Sequence, residues 1–102
     1  MVALFKSIGV PSEDARTCAD VLITSDKRGI DSHGVGRLKP IYYDRIVHQN
    51  IQQPVTQFEI VRDRGATAVV DGHHGMGMVI GNRCVTMAIE KARTYGLGMV
   101  VA

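Results

Sequence analysis

The order of elements written in this sequence predicts an α+β chain: a helical first half, two short strands, one long helix and a further strand. Three observations carry that expectation. Apolar residues recur at helical spacing through Ala15, Cys18, Ala19 and Leu22. β-Branched residues gather in two runs, 57–61 and 66–70, divided by a polar turn. A long periodic stretch from about Met76 to Tyr95 runs into Gly96, where a glycine terminator belongs.

Taken in order, 2–8 reads as a helix closed by Gly9 and Pro11, with no N-cap in front of it. Ser12 is the expected cap of a second helix, whose first turn carries Glu13 and Asp14 where the macrodipole favours anions. That helix stops near Gly29, after Lys27 and Arg28. Asp31 and Ser32 are cap-type residues expected to open a third helix through Leu38. Pro40 removes a backbone donor, so this helix kinks or restarts and continues to about His48, itself favourable to the dipole there.

Residues 50–57, with Pro54, read as a linker, and Arg62-Asp63-Arg64-Gly65 as the turn of a β-hairpin. In the long helix, Gly81, Cys84, Val85, Ala88, Ala92 and Tyr95 are expected to share the buried face. The apolar run 98–102 reads as a strand. The division expected is a helical lobe over 1–50 and an α/β portion over 51–102. A helix already under way at Met1 and a strand under way at Ala102 lead us to expect a longer parent polypeptide.

Composition narrows the function. The chain is 45% hydrophobic and 22% charged, an ordinary globular profile. The net charge is only +2, and the basic residues are interleaved with acids rather than gathered into a stripe. Trp is absent and aromatics are few, which removes the stacking platforms of single-strand binders. Neither nucleic acid nor membrane is an expected partner, since no apolar run approaches the ~20 residues of a span. Cys18 and Cys84 fit buried thiols in a reducing compartment, and the N-terminus lacks a signal-peptide layout, so a cytoplasmic location is expected.

The sharpest chemistry lies in Gly29-Ile30-Asp31-Ser32-His33-Gly34-Val35-Gly36-Arg37-Leu38. With Ser32 as cap, His33 and Arg37 would share one helix face. Arg presents a planar fork suited to a carboxylate, and His titrates near neutrality, where it can hand a proton to a developing alkoxide. Glycine costs roughly 1 kcal/mol against alanine within a helix. Gly34 and Gly36 therefore suggest that something approaches the backbone closely there. A capped surface helix bearing an ordinary His and Arg is the competing reading.

A second cluster, Asp71-Gly72-His73-His74-Gly75-Met76-Gly77-Met78-Val79-Ile80-Gly81, joins a strand to the long helix. The spacing of Gly75, Gly77 and Gly81 is one residue too long for the dinucleotide-binding G-x-G-x-x-G. A tight connection whose glycines permit close packing is the alternative. His73 and His74 are adjacent, so their side chains diverge in regular structure, and no metal site is expected.

Asp31-Ser32-His33-Gly34-Val35-Gly36-Arg37-Leu38, the following Pro40-Ile41-Tyr42 and the Asp71-Gly72…Gly75-x-Gly77 run together resemble the malate/L-lactate dehydrogenase family. This is the non-Rossmann group that also holds sulfolactate, ureidoglycolate and diketogulonate dehydrogenases. The resemblance implies a helical lobe followed by the start of an α/β nicotinamide-binding domain of non-Rossmann type. It implies hydride transfer between NAD or NADP and a small 2-oxo/2-hydroxy acid such as malate or lactate, in a homodimer. On the matching positions, His33 would be the catalytic proton donor and Arg37 the carboxylate ligand. Tyr42 would be the substrate-contacting tyrosine if Lys39 is a one-residue insertion, with Tyr43 the competing choice.

A second active-site histidine and most cofactor contacts would lie beyond Ala102. No cofactor-binding residue is therefore assigned, and the chain alone is expected to be inactive. Two other readings remain at this point: a conventional Rossmann nucleotide-binding piece, and a truncated, non-catalytic interaction module.

Overall fold

A computed structural model describes residues 1–102, and they divide into two compact units, Met1–Val55 and Thr56–Ala102. The first is all helical and turn. Helix α1 spans Val2–Ser7, and Gly9, at φ +99°, reverses the chain. Helix α2 spans Ser12–Lys27 and buries Ala15, Cys18, Ala19 and Leu22, the stripe its spacing predicts, together with Phe5 of α1 and Val10. Ser12 is not the cap. Pro11, in an extended conformation, holds that place, and its carbonyl accepts the Ala15 N–H at 2.8 Å. With φ already fixed by its ring, proline can start a helix without a capping side chain.

The third helix expected from Asp31 is absent as a continuous element. Two short 3-10 turns, Asp31–His33 and Val35–Arg37, flank a break at Gly34. A π-helical turn over Leu38–Tyr43 then leads into α3, Asp44–Val47. The glycines and Pro40 explain the difference: residues that support the α-helical hydrogen-bond ladder poorly leave the backbone to find other partners.

The second unit is a three-stranded sheet with one helix. Strand β1 (Glu59–Arg64) pairs antiparallel with β2 (Thr67–Asp71), and β2 pairs parallel with β3 (Met99–Val101) through the crossover helix α4 (Gly77–Tyr95). The hairpin turn is Gly65-Ala66 rather than the charged stretch before it. Arg62, Asp63 and Arg64 belong to β1, whose residues are all exposed. Charged side chains suit an edge strand, whose unpaired backbone groups they guard, and this one has no buried position to fill. The register slips between Ile60 and Arg62, so Val61 is the extra residue of a β-bulge.

The α4 face also differs from expectation. Val79 and Cys84 are buried, whereas Val85 and Tyr95 are 57% and 59% exposed and Gly81 is exposed. Half-buried Ile80, Met87, Ala88, Lys91 and Ala92 complete the inward face. The stripe is thus turned part of the way round the helix from the apolar residues that suggested it. Helix α4 ends as predicted at Gly96, in the left-handed region at φ +90°, with its N–H on the Ala92 carbonyl.

At the other end of α4, the Thr56 hydroxyl accepts the N–H of fully buried Met76 at 3.0 Å. Thr56→Val keeps the shape and removes that acceptor. It should cost about 1–3 kcal/mol in a denaturant titration, the range for a stranded buried donor.

Burial, reinforced by the negative charge of Asp14, pushes the Cys18 thiol from 9.0 up to about 12. The folded state therefore favours the neutral thiol. Its contribution to stability is complete below the unfolded thiol value and is lost as pH rises from there towards 12. A Cys18→Ala variant should show a flatter fall of stability over that alkaline window in denaturant titrations. An identical slope would remove Cys18 as the cause.

Candidate functional site

The chemistry-bearing segment begins where α2 stops. Its final carbonyls are met by a Schellman arrangement: Gly29, at φ +76°, donates to the Asp26 carbonyl at 3.0 Å, and Ile30 donates to Ser25 at 2.8 Å. The chain reverses there, and 31–37 follow as two tight turns.

Ser32, expected as a helix cap, does something else. Its Oγ is hydrogen-bonded to His33 Nδ1 at 2.9 Å, and its backbone carbonyl accepts the Arg37 Nε–H at 2.5 Å. One residue thus holds both side chains. His33 Nε2 is left without a protein partner, and so are the two terminal amino groups of the Arg37 guanidinium. His33 is exposed and Arg37 half-buried. Their common placement arises from these contacts rather than from one turn of α-helix.

Tyr42 lies in the π-turn, half-buried, with its ring edge-on to Phe5 at 6.1 Å between centroids. Burial raises its phenol, the neighbouring Cys18 thiol adds to that, and the Arg37 and Arg45 guanidinium groups pull it back. Arg37 and Tyr42 are therefore electrostatic neighbours. Tyr43 stands instead against His48, ring centroids 5.7 Å apart, and lines an apolar groove with Leu4, Val35, Gly36, Leu38 and Lys39. A π-turn accommodates one residue more than an α-turn. Over Leu38–Tyr43 such a turn holds Lys39, the residue that the Tyr42 assignment treats as an insertion.

Sequence reasoning missed Asp26. Its Oδ2 accepts the Val35 N–H at 3.0 Å, in the middle of the His33–Arg37 segment. The available signal was an acid in the last turn of α2, the end at which the dipole favours cations.

In the second unit the glycine-rich connection serves mainly for packing. A Cβ on Gly72 would run into Ile80, and one on Gly75 into Thr56 and the Gly72 carbonyl, whereas Gly77 and Gly81 have open space. His73 and His74 both take left-handed backbone, φ +49° and +59°, so they are not in the regular structure that the divergence argument assumed. Glu59, Asp71 and His73 bring ligand-type atoms within 4.8 Å of one another. The imidazole lies between the two acids, Nε2 on Glu59 at 2.6 Å and Nδ1 3.8 Å from Asp71.

The family model for malate/L-lactate dehydrogenase matches residues 1–102. An L-sulfolactate dehydrogenase of Methanocaldococcus jannaschii is 41% identical over 100 residues, covering 98% of this chain and 28% of that protein. A malate dehydrogenase of Pyrococcus horikoshii is 39% identical over 102 residues, covering 100% of this chain and 28% of its own. The crystal structure of malate dehydrogenase from Entamoeba histolytica superposes with a TM-score of 0.92 at 41% identity, over 98% of this chain and 27% of that one. The chain spans about 28% of the length of the curated relatives it matches. With a match along its whole length and a shared α+β architecture, the chain belongs to the malate/L-lactate dehydrogenase family.

Proposed function

We propose that this chain supplies one wall of the substrate site of an oxidoreductase that interconverts a small 2-hydroxy acid and its 2-oxo acid. The observation that carries the reading is the double role of Ser32, which ties His33 through its hydroxyl and Arg37 through its carbonyl. Held in this way, Arg37 offers its terminal N–H groups to a carboxylate. His33 offers Nε2 to the oxygen beside it, as proton donor to the alkoxide or acceptor from the alcohol. Tyr42, near Arg37 and partly desolvated, adds a hydroxyl able to bind the acid's oxygens.

The donor set fits the substrate half of such a reaction: a cationic fork for the acid and a titratable ring for the oxygen. NAD or NADP would supply or accept the hydride. None of the contacts described in residues 1–102 is assigned to it. The relatives named for sulfolactate and malate support the acid class. The hairpin strand β1, antiparallel beside the parallel β2–α4–β3 crossover, supports a nicotinamide-binding domain of non-Rossmann type over an ordinary doubly wound sheet. A homodimeric, cytoplasmic whole protein completes the reading, on the family resemblance alone. No helix is long and apolar enough to cross a membrane.

The test is oxidation of NADH and NADPH against a panel of 2-oxo acids, using the chain alone and the chain extended to the length of its relatives. Turnover by the extended protein alone is the expected result. If neither form turns over, the reading fails and a non-catalytic interaction module takes its place. Within an active protein, His33→Ala should lower kcat by roughly 100-fold, the scale of general acid–base catalysis. Arg37→Ala should lower kcat/KM by a similar factor and also raise KM for the acid. Near-parental kinetics in both variants would remove the assigned roles. Tyr42→Phe should weaken acid binding more than Tyr43→Phe does, and the reverse order would move the assignment to Tyr43.

A further inference from the structure

We infer that Asp26 is the positioning residue of this site: its carboxylate sets the Gly34–Val35 peptide that spaces His33 from Arg37. The inference rests on the substrate-site reading above and adds a residue to it.

Two geometric observations converge on Asp26. The first is the hydrogen bond from the Val35 N–H to Oδ2 at 3.0 Å. The second is steric. A Cβ built on Gly34 would overlap the Asp26 carboxylate, because Oδ1, Cγ and Oδ2 all stand against that α-carbon. Gly34 is buried, at φ −96° and ψ −147°. The proximity of the carboxylate leaves no room for a side chain on it. Gly36, by contrast, has nothing within 4 Å of a Cβ position. The close approach suggested by the two glycines is therefore made at Gly34, and Asp26 makes it.

The location of Asp26 adds a third argument. It sits in the last turn of α2, where helix carbonyls gather partial negative charge and an acid is disfavoured. A charge-assisted bond to a backbone amide offsets that cost. The Schellman reversal at Gly29 carries the chain back so that Val35 meets Asp26. The sequence separation is small, so little loop entropy opposes the contact.

The consequence is mechanical. His33 precedes the Gly34–Val35 peptide and Arg37 follows it. Both side chains also hang on Ser32, so fixing the peptide at Asp26 fixes the second point of a short, doubly anchored loop. A fork and a proton donor displaced by about 1 Å relative to each other can lose 100-fold in rate.

The experiment uses the protein extended to the length of its relatives, with oxaloacetate and pyruvate as probes and NADH as reductant. Asp26→Ala should raise KM for the better acid roughly tenfold or more, with a melting temperature close to the parent's. Asp26→Asn, which keeps an oxygen for the Val35 amide, should stay within about threefold. Gly34→Ala should reproduce the Asp26→Ala effect by displacing the carboxylate. The double variant should then be no worse than Asp26→Ala.

A merely structural Asp26 would lower the folded fraction, and with it apparent kcat, while leaving KM unchanged. That result overturns the inference, as does an Asn variant as impaired as the Ala variant. If Asp26→Ala does not fold, the Asn and Gly34→Ala variants decide the matter alone. Amide hydrogen exchange of 34–38 gives the arm that does not depend on turnover. Loss of protection there in Asp26→Ala, in a parent with no dehydrogenase activity, would uphold the Asp26 contact and sink the functional reading. Unchanged protection would sink the contact itself.

Discussion

At the C-terminus of α2 the last carbonyls of the helix need donors, and the chain supplies them by folding back on itself at Gly29. That residue's left-handed conformation, at φ +76°, lets Gly29 and Ile30 donate to Asp26 and Ser25. The direction in which 31–37 leave the helix follows from this reversal. So does the return of Val35 to the Asp26 carboxylate, and with it the shape of the short loop that carries His33 and Arg37. In a first unit whose buried core is Phe5, Val10, Ala15, Cys18, Ala19 and Leu22, apolar packing holds α1 against α2. The exposed loop is held by hydrogen bonds instead.

The polar loop has an economy that follows from its size. Ser32 contributes both a hydroxyl and a carbonyl, the first bonded to His33 Nδ1 and the second to Arg37 Nε. Neither bond uses His33 Nε2 or the terminal amino groups of Arg37, the atoms that the proposed reading gives to the substrate. The π-turn that follows presents Tyr42 to the Phe5 side of the unit and Tyr43 to His48. Neighbouring tyrosines are thereby sorted into different surroundings by one wide helical turn.

The second unit is organised by its helix. Lys91 of α4 reaches the Asp63 carboxylate on β1 and donates to the Gly65 carbonyl at 2.8 Å, tying the helix to the hairpin at its turn. Thr56 anchors the other end of α4 at Met76. Ala68, Val70, Met76, Val79 and Cys84 form the buried core between these ties. Val69 and Val101, paired across β2 and β3, stay 42% and 50% exposed.

The sequence by itself determined the elements whose signals are local. Glycine terminators ended α1, α2 and α4 where they were read, since a positive φ is a property of one residue and its neighbours. The α2 stripe and the two strands of the hairpin were legible for the same reason, and the Asp31–Leu38 run, with Pro40-Ile41-Tyr42 and the Asp71-Gly72…Gly75-x-Gly77 run, pointed to the family from side-chain identities alone. Tertiary structure decided what depends on how the elements pack and turn back on one another. It turned the buried face of α4 away from Val85 and Tyr95, because a helix buries the side that its sheet covers. It replaced the expected third helix by two tight turns and a π-turn, because in a segment weakened by Gly34, Gly36 and Pro40 the Val35 N–H goes to Asp26 and the Ser32 carbonyl to Arg37, backbone groups that a regular helix would have paired internally. And it gave Gly34 its reason, a carboxylate from the preceding helix, which spacing along the chain could not reveal.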